Sequence, residues 1–380
     1  MPDFKGFDRS YETMTSKERV KRAFSFEKSD RVPINYFANP TIHMKFAEAI
    51  GVEDGNYGKV LDIIGVDFRG VGAPYTPQNG RLLFKQIDGL SVDPVYGFYT
   101  KLIYNESGYY HDFCNFPLKD ADDEIIANFP VPNPDDFDYS NIIGTLDYYK
   151  DKAVHIGGAG TSDIINSTGR VMGMEETLVR LYSEDEATLM YLDRRLNMEL
   201  GVLERIMEKV RHNNNNKSQV DFLWLGEDLG TQIAPMISLD LYRKVFRPRH
   251  QKFVDLAKSY DLPVMIHTCG SSSWAYNDFI EMGINAVDTL QPEAANMNPA
   301  YLKEHFGGKL SFHGCISTAG VLTEGSPEDV ELTVKETVDI FRDVKGYMLS
   351  PTHMIQDNTP VENVIAMYGA AHKYGRDKRY

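Results

Sequence analysis

Short apolar runs rich in β-branched residues recur along this chain of 380 residues, and a longer helical pattern follows each of them. This alternation constrains the fold most, because buried-type strands that alternate with helices indicate a parallel sheet. The eight candidate strands are Arg31–Phe37, Gly65–Arg69, Lys152–Gly157, Asp221–Gly226, Pro263–His267, Ala286–Leu290, Leu310–His313 and Gly346–Ser350. Eight such units predict an α/β fold closed into a (β/α)8 TIM-type barrel. An open, doubly wound sheet is the competing layout.

The alternation breaks between the second and third candidate strands, over residues 72–149. This stretch holds turn signals, a Tyr-rich alternation at Val95–Tyr104 and the Pro-rich run Phe129–Pro134. It is too polar and irregular to bury a core of its own. We therefore predict a single barrel domain over residues 1–380, with residues 72–149 as an irregular, hairpin-bearing insertion over the barrel mouth.

Composition excludes several classes of protein. The chain has 40 Lys and Arg residues against 55 Asp and Glu residues, a net charge of −15, which argues against nucleic acid or an anionic membrane as the main partner. Its three cysteines are too few for a disulfide framework. The N-terminus lacks the apolar core of a secretory signal, and no later run has the length of a membrane span. We expect a cytoplasmic protein.

Polar residues gather at the ends of the predicted strands, where barrel enzymes carry their chemistry. These residues are Asn35, Tyr36, Asp67, Arg69, His155, Glu227, Asp228, His267, Cys269, Gln291, His313, Cys315 and His353. The candidate site residues are drawn from this set. His313 is closer to a core residue in this pattern, and Cys315 is balanced between core and site.

His267 and Cys269 form the sharpest local signal. Residues two apart on a strand face the same side, so an imidazole and a thiolate meet at one point, a pair suited to zinc. A zinc site needs further ligands, and the candidates are His353, Cys315, Glu227 and Asp228. Two alternatives remain open: Cys269 as a small buried apolar residue, and a nucleophilic Cys–His pair, which the parallel side chains disfavour.

Several motifs together resemble one family over nearly the whole chain. They are Thr15–Phe24, Asp30–Pro33, Gly226–Gln232, His267–Gly270, Tyr347–His353 and Pro360–Val364. This pattern resembles the uroporphyrinogen decarboxylase superfamily, and the resemblance implies a (β/α)8 barrel. Within the superfamily the chain is more similar to the methyltransferases that move methyl groups between a corrinoid protein and a thiol or folate acceptor.

Two departures from the family patterns separate the branches. The decarboxylases carry arginines after the first strand to hold the carboxylates of their tetrapyrrole, whereas Asn35–Pro40 contains none. The methyltransferases have a His-x-Cys motif, matched by His267 and Cys269, and a third zinc ligand that is a Cys after the last strand. His353 occupies that loop here, and imidazole is also a good zinc ligand.

The resemblance implies roles for named residues. His267, Cys269 and His353 would hold zinc, with Glu227 or Cys315 as an alternative further ligand. Glu227, Asp67 and His353 are the predicted catalytic residues, and the predicted substrate-binding residues are Asn35, Tyr36, Asp228 and Gln291. Zinc would activate an acceptor thiol, and a partner corrinoid carrier protein would supply the methyl-corrinoid.

Two other functions compete with a methyltransferase. The first is a metal-free lyase, similar to uroporphyrinogen decarboxylase, that acts on another small carboxylate or tetrapyrrole and uses Asp67 and His353. The second is a non-catalytic protein that binds a corrinoid or tetrapyrrole, in which the histidines and cysteines would be incidental.

Overall fold

The computed structural model describes residues 4, 6–77, 80, 82–213 and 219–376. The strands are β1 (Phe68–Gly70), β2 (Ser91–Val92), β3 (Tyr99–Tyr104), β4 (Tyr109–Cys114), β5 (Ala153–Gly157), β6 (Phe222–Gly226), β7 (Val264–Thr268), β8 (Ala286–Thr289), β9 (Ser311–Ile316) and β10 (Tyr347–Pro351). The main sheet has seven strands, all parallel, in the order β1-β5-β6-β7-β8-β9-β10. The predicted α/β class with a parallel sheet is confirmed.

Helices separate the strands of the main sheet. They are α1 (Ser16–Phe24), α2 (Pro40–Ala49), α3 (Tyr57–Ile64), α4 (Asp123–Ala127), α5 (Ile142–Tyr148), α6 (Ile165–Met172), α7 (Met174–Tyr182), α8 (Glu186–Arg211), α9 (Leu239–Leu241), α10 (Arg247–Ser259), α11 (Tyr276–Met282), α12 (Pro299–Phe306), α13 (Val321–Glu324), α14 (Pro327–Phe341) and α15 (Val361–Tyr374). Short 3-10 turns at Pro134–Asp136 and Ser273–Ala275 and a π-helical turn at Tyr242–Phe246 complete the set. No helix in the described part of the chain is long and apolar enough to span a membrane.

Helix starts follow from local capping chemistry. Thr15 caps α1 and Ser326 caps α14, and in both cases an acidic residue three positions later bonds back to the cap, which completes a capping box. Pro327 occupies the first position of α14, where a missing N–H costs nothing. These signals fix the residues at which α1 and α14 begin.

The centre of the main sheet is almost completely buried. Every residue of β6, β9 and β10 is buried, and β7 has one partly exposed residue. Strands covered on both faces need continuous apolar runs, which is the pattern of these segments. A polar residue inside such a strand is therefore costly unless it is bonded, and it marks a place where chemistry or architecture requires it.

The first predicted strand, Arg31–Phe37, forms only isolated parallel bridges, between Ile34 and Leu349 and between Ala38 and Ile355. Two features prevent a regular strand: Pro33 has no N–H to donate, and the N–H of Ile34 bonds to the side chain of Asp67 at 2.8 Å. This segment nevertheless contacts both edges of the main sheet. Asn35 N donates to Leu349 O on β10, and Asp67 N, directly before β1, donates to Ile34 O.

Asp67 is the buried anchor of this segment. Arg31 Nη1 lies 2.7 Å from Asp67 Oδ2, and Arg19 Nη1 lies 2.5 Å from Oδ1. Arg19 also binds Asp30, and Arg31 also binds Glu12. Burial opposes the charge of Asp67, but the two guanidinium groups hold its pKa below the usual value. Asp67 is one of the predicted catalytic residues, and its complete burial and full set of bonds favour a structural role.

A second, antiparallel sheet lies in sequence between β1 and β5, in the order β2-β3-β4. Arg170 of α6 fastens this sheet, because its guanidinium lies 5.1 Å from the ring centre of Phe113 and 5.8 Å from that of Phe98. The placement of residues 72–149 over the barrel mouth stays a prediction.

We expect Asp67→Asn to lower the free energy of unfolding by about 3–5 kcal/mol, because it leaves two buried guanidinium groups short of charge compensation. Urea unfolding followed by circular dichroism measures the change. Asp54→Asn is the matched control, since Asp54 pairs with Lys59 at the exposed surface and its loss should leave the urea midpoint unchanged. Equal midpoints for both variants would contradict the anchoring role.

Candidate metal site

Three neighbouring strands bring polar side chains to one level of the sheet. His267 on β7 is in register with Asp288 on β8, and Asp288 is in register with His313 on β9. Parallel strands paired in register point the side chains of partner residues to the same face. An imidazole, a carboxylate and a second imidazole therefore stand side by side near the carboxyl ends of the strands.

Asp228, His267 and Cys269 form a group of metal-type donors whose ligand atoms all lie within 4.8 Å of one another. Cys269 Sγ is 3.4 Å from His267 Nε2, and Asp228 Oδ1 is 3.6 Å from the same nitrogen. Tetrahedral zinc with its usual bond lengths separates neighbouring N, O and S donors by about 3.3–3.6 Å. The donor types and these separations fit zinc, and the side chains of Asp228 and His267 are still 24% and 16% exposed.

Asp288 and Thr289 fix the imidazole of His267 through its Nδ1 atom. His267 Nδ1 lies 2.7 Å from Asp288 Oδ2 and 2.7 Å from Thr289 Oγ1. A carboxylate only accepts, so Nδ1 carries the proton and Nε2 is the nitrogen that faces Cys269 and Asp228. Thr289 adopts φ 98°, a conformation that a β-branched residue rarely takes, and this strain accompanies the contact of its hydroxyl with His267.

The charges of the donor group and of Asp288 depend on which side chains are protonated. Burial lowers the pKa of His267, but hydrogen bonds to Asp288 and Cys269 outweigh it and raise that pKa well above the usual value. Burial raises the pKa of the Cys269 thiol. Burial likewise opposes ionisation of Asp288, yet the two histidines hold its pKa far below the ordinary range. Metal binding here must displace protons from His267 Nε2 and Cys269, so it strengthens as pH rises.

Further hydrogen bonds orient Asp228 and Cys269. Asp228 Oδ2 accepts from Asn166 Nδ2 at 2.7 Å, and Asp228 Oδ1 accepts from Cys269 N at 2.8 Å. The Gln291 side chain accepts from Gly270 N at 2.6 Å and so holds the turn that follows Cys269. Gly270 has φ 70°, and a Cβ there would lie 2.2 Å from Gly230 O, so only glycine fits this turn.

Glu227 is the neighbour of Asp228 in sequence but faces another part of the molecule. Its carboxylate accepts from the backbone N–H groups of Ile164 and Ile165 at 2.8 and 3.0 Å, and His250 Nε2 lies 3.2 Å away. Burial raises its pKa well above the usual value. Glu227, a predicted catalytic residue and alternative ligand, thus holds the start of α6, and Asp228 is the carboxylate that lies beside His267.

Two of the candidate further ligands, His353 and Cys315, lie outside the donor group. His353 is exposed, and its Nδ1 lies 3.2 Å from Gln356 Nε2 and 3.3 Å from Met354 O. Cys315 is 1% exposed, and burial raises the pKa of its thiol. Within the described ranges, neither residue is grouped with the donors around His267.

The predicted substrate-binding residues have separate surroundings. Asp228 belongs to the donor group, and Gln291 supports its loop, as described above. Asn35 is buried, with its amide nitrogen 3.2 Å from His313 Nε2. Tyr36 is also buried, and its hydroxyl pairs with His43 Nδ1 of α2 at 3.0 Å, away from the donor group.

Asp288, Thr289 and Asn166 were missed by the sequence reasoning. The available signal for Asp288 was a carboxylate inside the otherwise apolar run Ala286–Leu290, where burial demands a bonding partner. No local signal marks Asn166, since its proximity to Asp228 arises only from the packing of α6 against the end of β6.

The fold and the donor group define an α/β protein with a candidate metal site at the carboxyl ends of its parallel strands. Residues 216–374, which contain the three donors, match the model of the family described as uroporphyrinogen decarboxylase (URO-D). This match confirms the resemblance to the uroporphyrinogen decarboxylase superfamily that the sequence motifs indicated.

Curated relatives are methyltransferases of low identity. The methylated-thiol–coenzyme M methyltransferase of Methanosarcina mazei is 26% identical over 135 residues, which cover 35% of this chain and 33% of that protein. The methylcobamide:CoM methyltransferase MtbA of Methanosarcina acetivorans is 26% identical over 159 residues, 39% of this chain and 43% of that protein. The chain thus matches less than half the length of these curated relatives.

A solved structure described as a methyltransferase from Methanosarcina mazei has the same fold. It superposes with a TM-score of 0.63 at 15% identity and covers 95% of this chain and 99% of that chain. The likeness extends over nearly all of the chain, so the parallel sheet and the layout of its helices are shared.

We expect the protein to bind about one Zn²⁺ per chain, and Asp228→Ala, His267→Ala and Cys269→Ala each to weaken or abolish this binding. Metal analysis after dialysis, with chelator competition for affinity, measures the effect. His353→Ala and Cys114→Ser are the controls and should retain zinc. Loss of zinc in His353→Ala with retention in Asp228→Ala would instead make His353 the third ligand.

The support from Asp288 gives a separate prediction. Asp288→Asn replaces an acceptor that fixes the proton on His267 Nδ1 by a weaker one, so we expect zinc affinity to fall about 10–100-fold. Chelator competition again gives the dissociation constant, and an unfolding curve reports whether the fold is kept. An unchanged dissociation constant would rule out this supporting role.

Proposed function

We propose that this protein is a methyltransferase that moves a methyl group between a corrinoid carrier protein and a small acceptor, a thiol or tetrahydrofolate. Zinc held by Asp228, His267 and Cys269 assists the transfer. One observation carries the proposal: a thiol, an imidazole and a carboxylate converge at the strand ends, in a chain that is related over part of its length to proteins named as methyltransferases of coenzyme M.

The donor group suits an acceptor thiol. Zinc bound by these residues supplies Lewis acidity that lowers the pKa of a coordinated thiol towards neutrality. Asp228, His267 and Cys269 would hold the zinc, and the methyl-corrinoid of the carrier protein would supply the methyl group that the acceptor sulfur takes up, with the bonding electron pair left on the corrinoid. The partial exposure of Asp228 and His267 leaves a path for the acceptor from solvent.

The chain's own residues keep the site ready for this step. Asp288 and Thr289 fix the ring of His267, and Asn166 fixes Asp228, so little reorganisation remains when the acceptor arrives. Gln291 fastens the turn at Gly270 and thereby the position of the Cys269 thiol.

The metal-free lyase is the weaker alternative. It relied on Asp67 and His353 as a catalytic pair, but Asp67 is buried between two arginines and His353 lies at the exposed surface. Asn35–Pro40 also lacks the arginines that a substrate with many carboxylates would require. A binding protein without turnover is the other alternative.

The architecture and location form part of the proposal. Residues 33–35 serve as the eighth element of a (β/α)8 barrel, which the bonds of this segment to β10 and to Asp67 support. The chain acts as one domain, with residues 72–149 over the mouth. A cytoplasmic site of action agrees with its three unpaired cysteines. The carrier protein docks on an acidic molecule of net charge −15, so the contact is local.

The methyl transfer can be measured directly. We expect zinc-loaded protein to demethylate methylcobalamin in the presence of coenzyme M, another small thiol or tetrahydrofolate, and the absorbance change of the corrinoid reports the rate. Cys269→Ala should lower kcat/KM by at least about a hundredfold, because an oriented ligand of the metal is lost. Cys114→Ser, in the antiparallel sheet, should keep the full rate.

Assays with different methyl acceptors distinguish a thiol acceptor, a folate acceptor and a binding protein without turnover. Activity with a thiol alone identifies a thiol acceptor, and activity with tetrahydrofolate alone identifies a folate acceptor. A corrinoid that binds without losing its methyl group, with every acceptor and with a carrier protein present, would refute the transferase and favour the binding protein.

A further inference from the structure

A line of buried hydrogen bonds leads from the metal site across the interior to the first predicted strand. The second oxygen of Asp288 pairs with His313 Nδ1. His313 Nε2 lies 3.2 Å from Asn35 Nδ2, and Asn35 Oδ1 accepts from Tyr36 N at 2.9 Å. This relay, formed by Asn35, His313 and Asp288, ends at the back of His267.

The donors and acceptors along the relay are fixed by the hydrogen bond at its Asn35 end. A backbone N–H only donates, so the atom of Asn35 that meets Tyr36 N must be the amide oxygen. The amide NH2 of Asn35 then faces His313 and donates to Nε2. His313 Nε2 is therefore the acceptor, and Nδ1 carries the proton that is donated to Asp288.

Burial makes the relay specific. Asn35 is 3% exposed, His313 0% and Asp288 3%, so solvent water does not replace a missing partner. The ring of His313 is packed edge-on against Phe68 and Trp224, with ring centres 5.3 and 5.8 Å away. This packing fixes the plane of the imidazole, so that each nitrogen has one partner.

The backbone of Asn35 is fixed as well. Its N–H donates to Leu349 O, and its carbonyl accepts from the Tyr368 hydroxyl at 2.9 Å. The adjacent Ile34 is bonded to Asp67. The start of the relay is thus attached to β10, to α15 and to the buried arginine cluster.

We propose that Asn35 and His313 are positioning residues of the metal site. They orient the Asp288 carboxylate, which keeps the proton on His267 Nδ1 and the lone pair of Nε2 directed towards the metal. The inference rests on the proposed metal site and extends it by two residues that contact no donor atom. It also replaces the predicted contact of Asn35 with the methyl acceptor.

Two substitutions at His313 separate its two nitrogens. Asparagine can place an amide nitrogen near the position of Nδ1 and keep the bond to Asp288, whereas glutamine reaches the position of Nε2 and loses that bond. We expect His313→Gln to weaken Zn²⁺ binding about tenfold and His313→Asn to stay within about threefold of the wild type. Chelator competition gives the dissociation constants, and the Co²⁺ absorption spectrum reports the ligand geometry.

His155→Asn is the matched control. His155 is another histidine in the interior of the sheet, but its Nδ1 bonds to Gly157 O, outside the relay. We expect its zinc affinity to equal that of the wild type. Equal losses in His313→Gln and His313→Asn, or no loss in either, would overturn the positioning role.

A metal-free measurement tests the direction of the relay. Asn35→Leu keeps the approximate size of the side chain but removes the donor to Nε2, while Asp288 still accepts from Nδ1. We therefore expect the proton of His313 to stay on Nδ1 and the ¹⁵N resonance of Nε2 alone to shift, because that nitrogen loses its hydrogen bond. Imidazole ¹⁵N chemical shifts report both nitrogens without zinc. An unchanged Nε2 resonance would contradict the relay, whereas a wild type that binds no zinc would refute the proposed function and leave this result standing.

Discussion

The buried carboxylate of Asp67, held between Arg19 and Arg31, is the interaction on which the rest of the structure depends. Charges inside a protein are costly unless their bonds are complete, and here both oxygens of Asp67 are occupied. The N-terminal arginines are thereby joined to the segment before β1. This cluster adds buried side-chain bonds to the backbone bonds that hold residues 31–35 between the two edge strands of the main sheet.

The candidate metal site depends on the position of this segment. Asn35 follows directly after the anchored Ile34, and its amide begins the relay that ends behind His267. The other half of the site comes from strand register, which sets His267, Asp288 and His313 at one level. Two independent sources of rigidity, an ion cluster and a parallel sheet, thus meet at one imidazole. A metal ligand needs such support because small errors in orientation weaken coordination.

The sequence predicted what depends on local pattern and missed what depends on long-range packing. Alternating strands and helices identified the parallel α/β fold, and the spacing of His267 and Cys269 placed both on one side of a strand. Sequence alone did not separate Asp228 from Glu227, because adjacent carboxylates point apart and only packing decides which one enters the site. The same limit applies to Asp67. A polar residue at a strand end can be catalytic or structural, and the sequence pattern is the same in both cases.

The residues of the relay are far apart in sequence, so they are synthesised at different times. Asn35 and His313 are separated by 278 positions, and the hydroxyl that holds the Asn35 carbonyl lies 333 positions after it. During synthesis the N-terminal part of the chain emerges first, and contacts between distant residues form late in folding. The three donors are made before β10 and α15 exist, so a nascent chain has the ligands of the site before it has their support. The support of the candidate metal site is therefore in place only after β10 and α15 have formed.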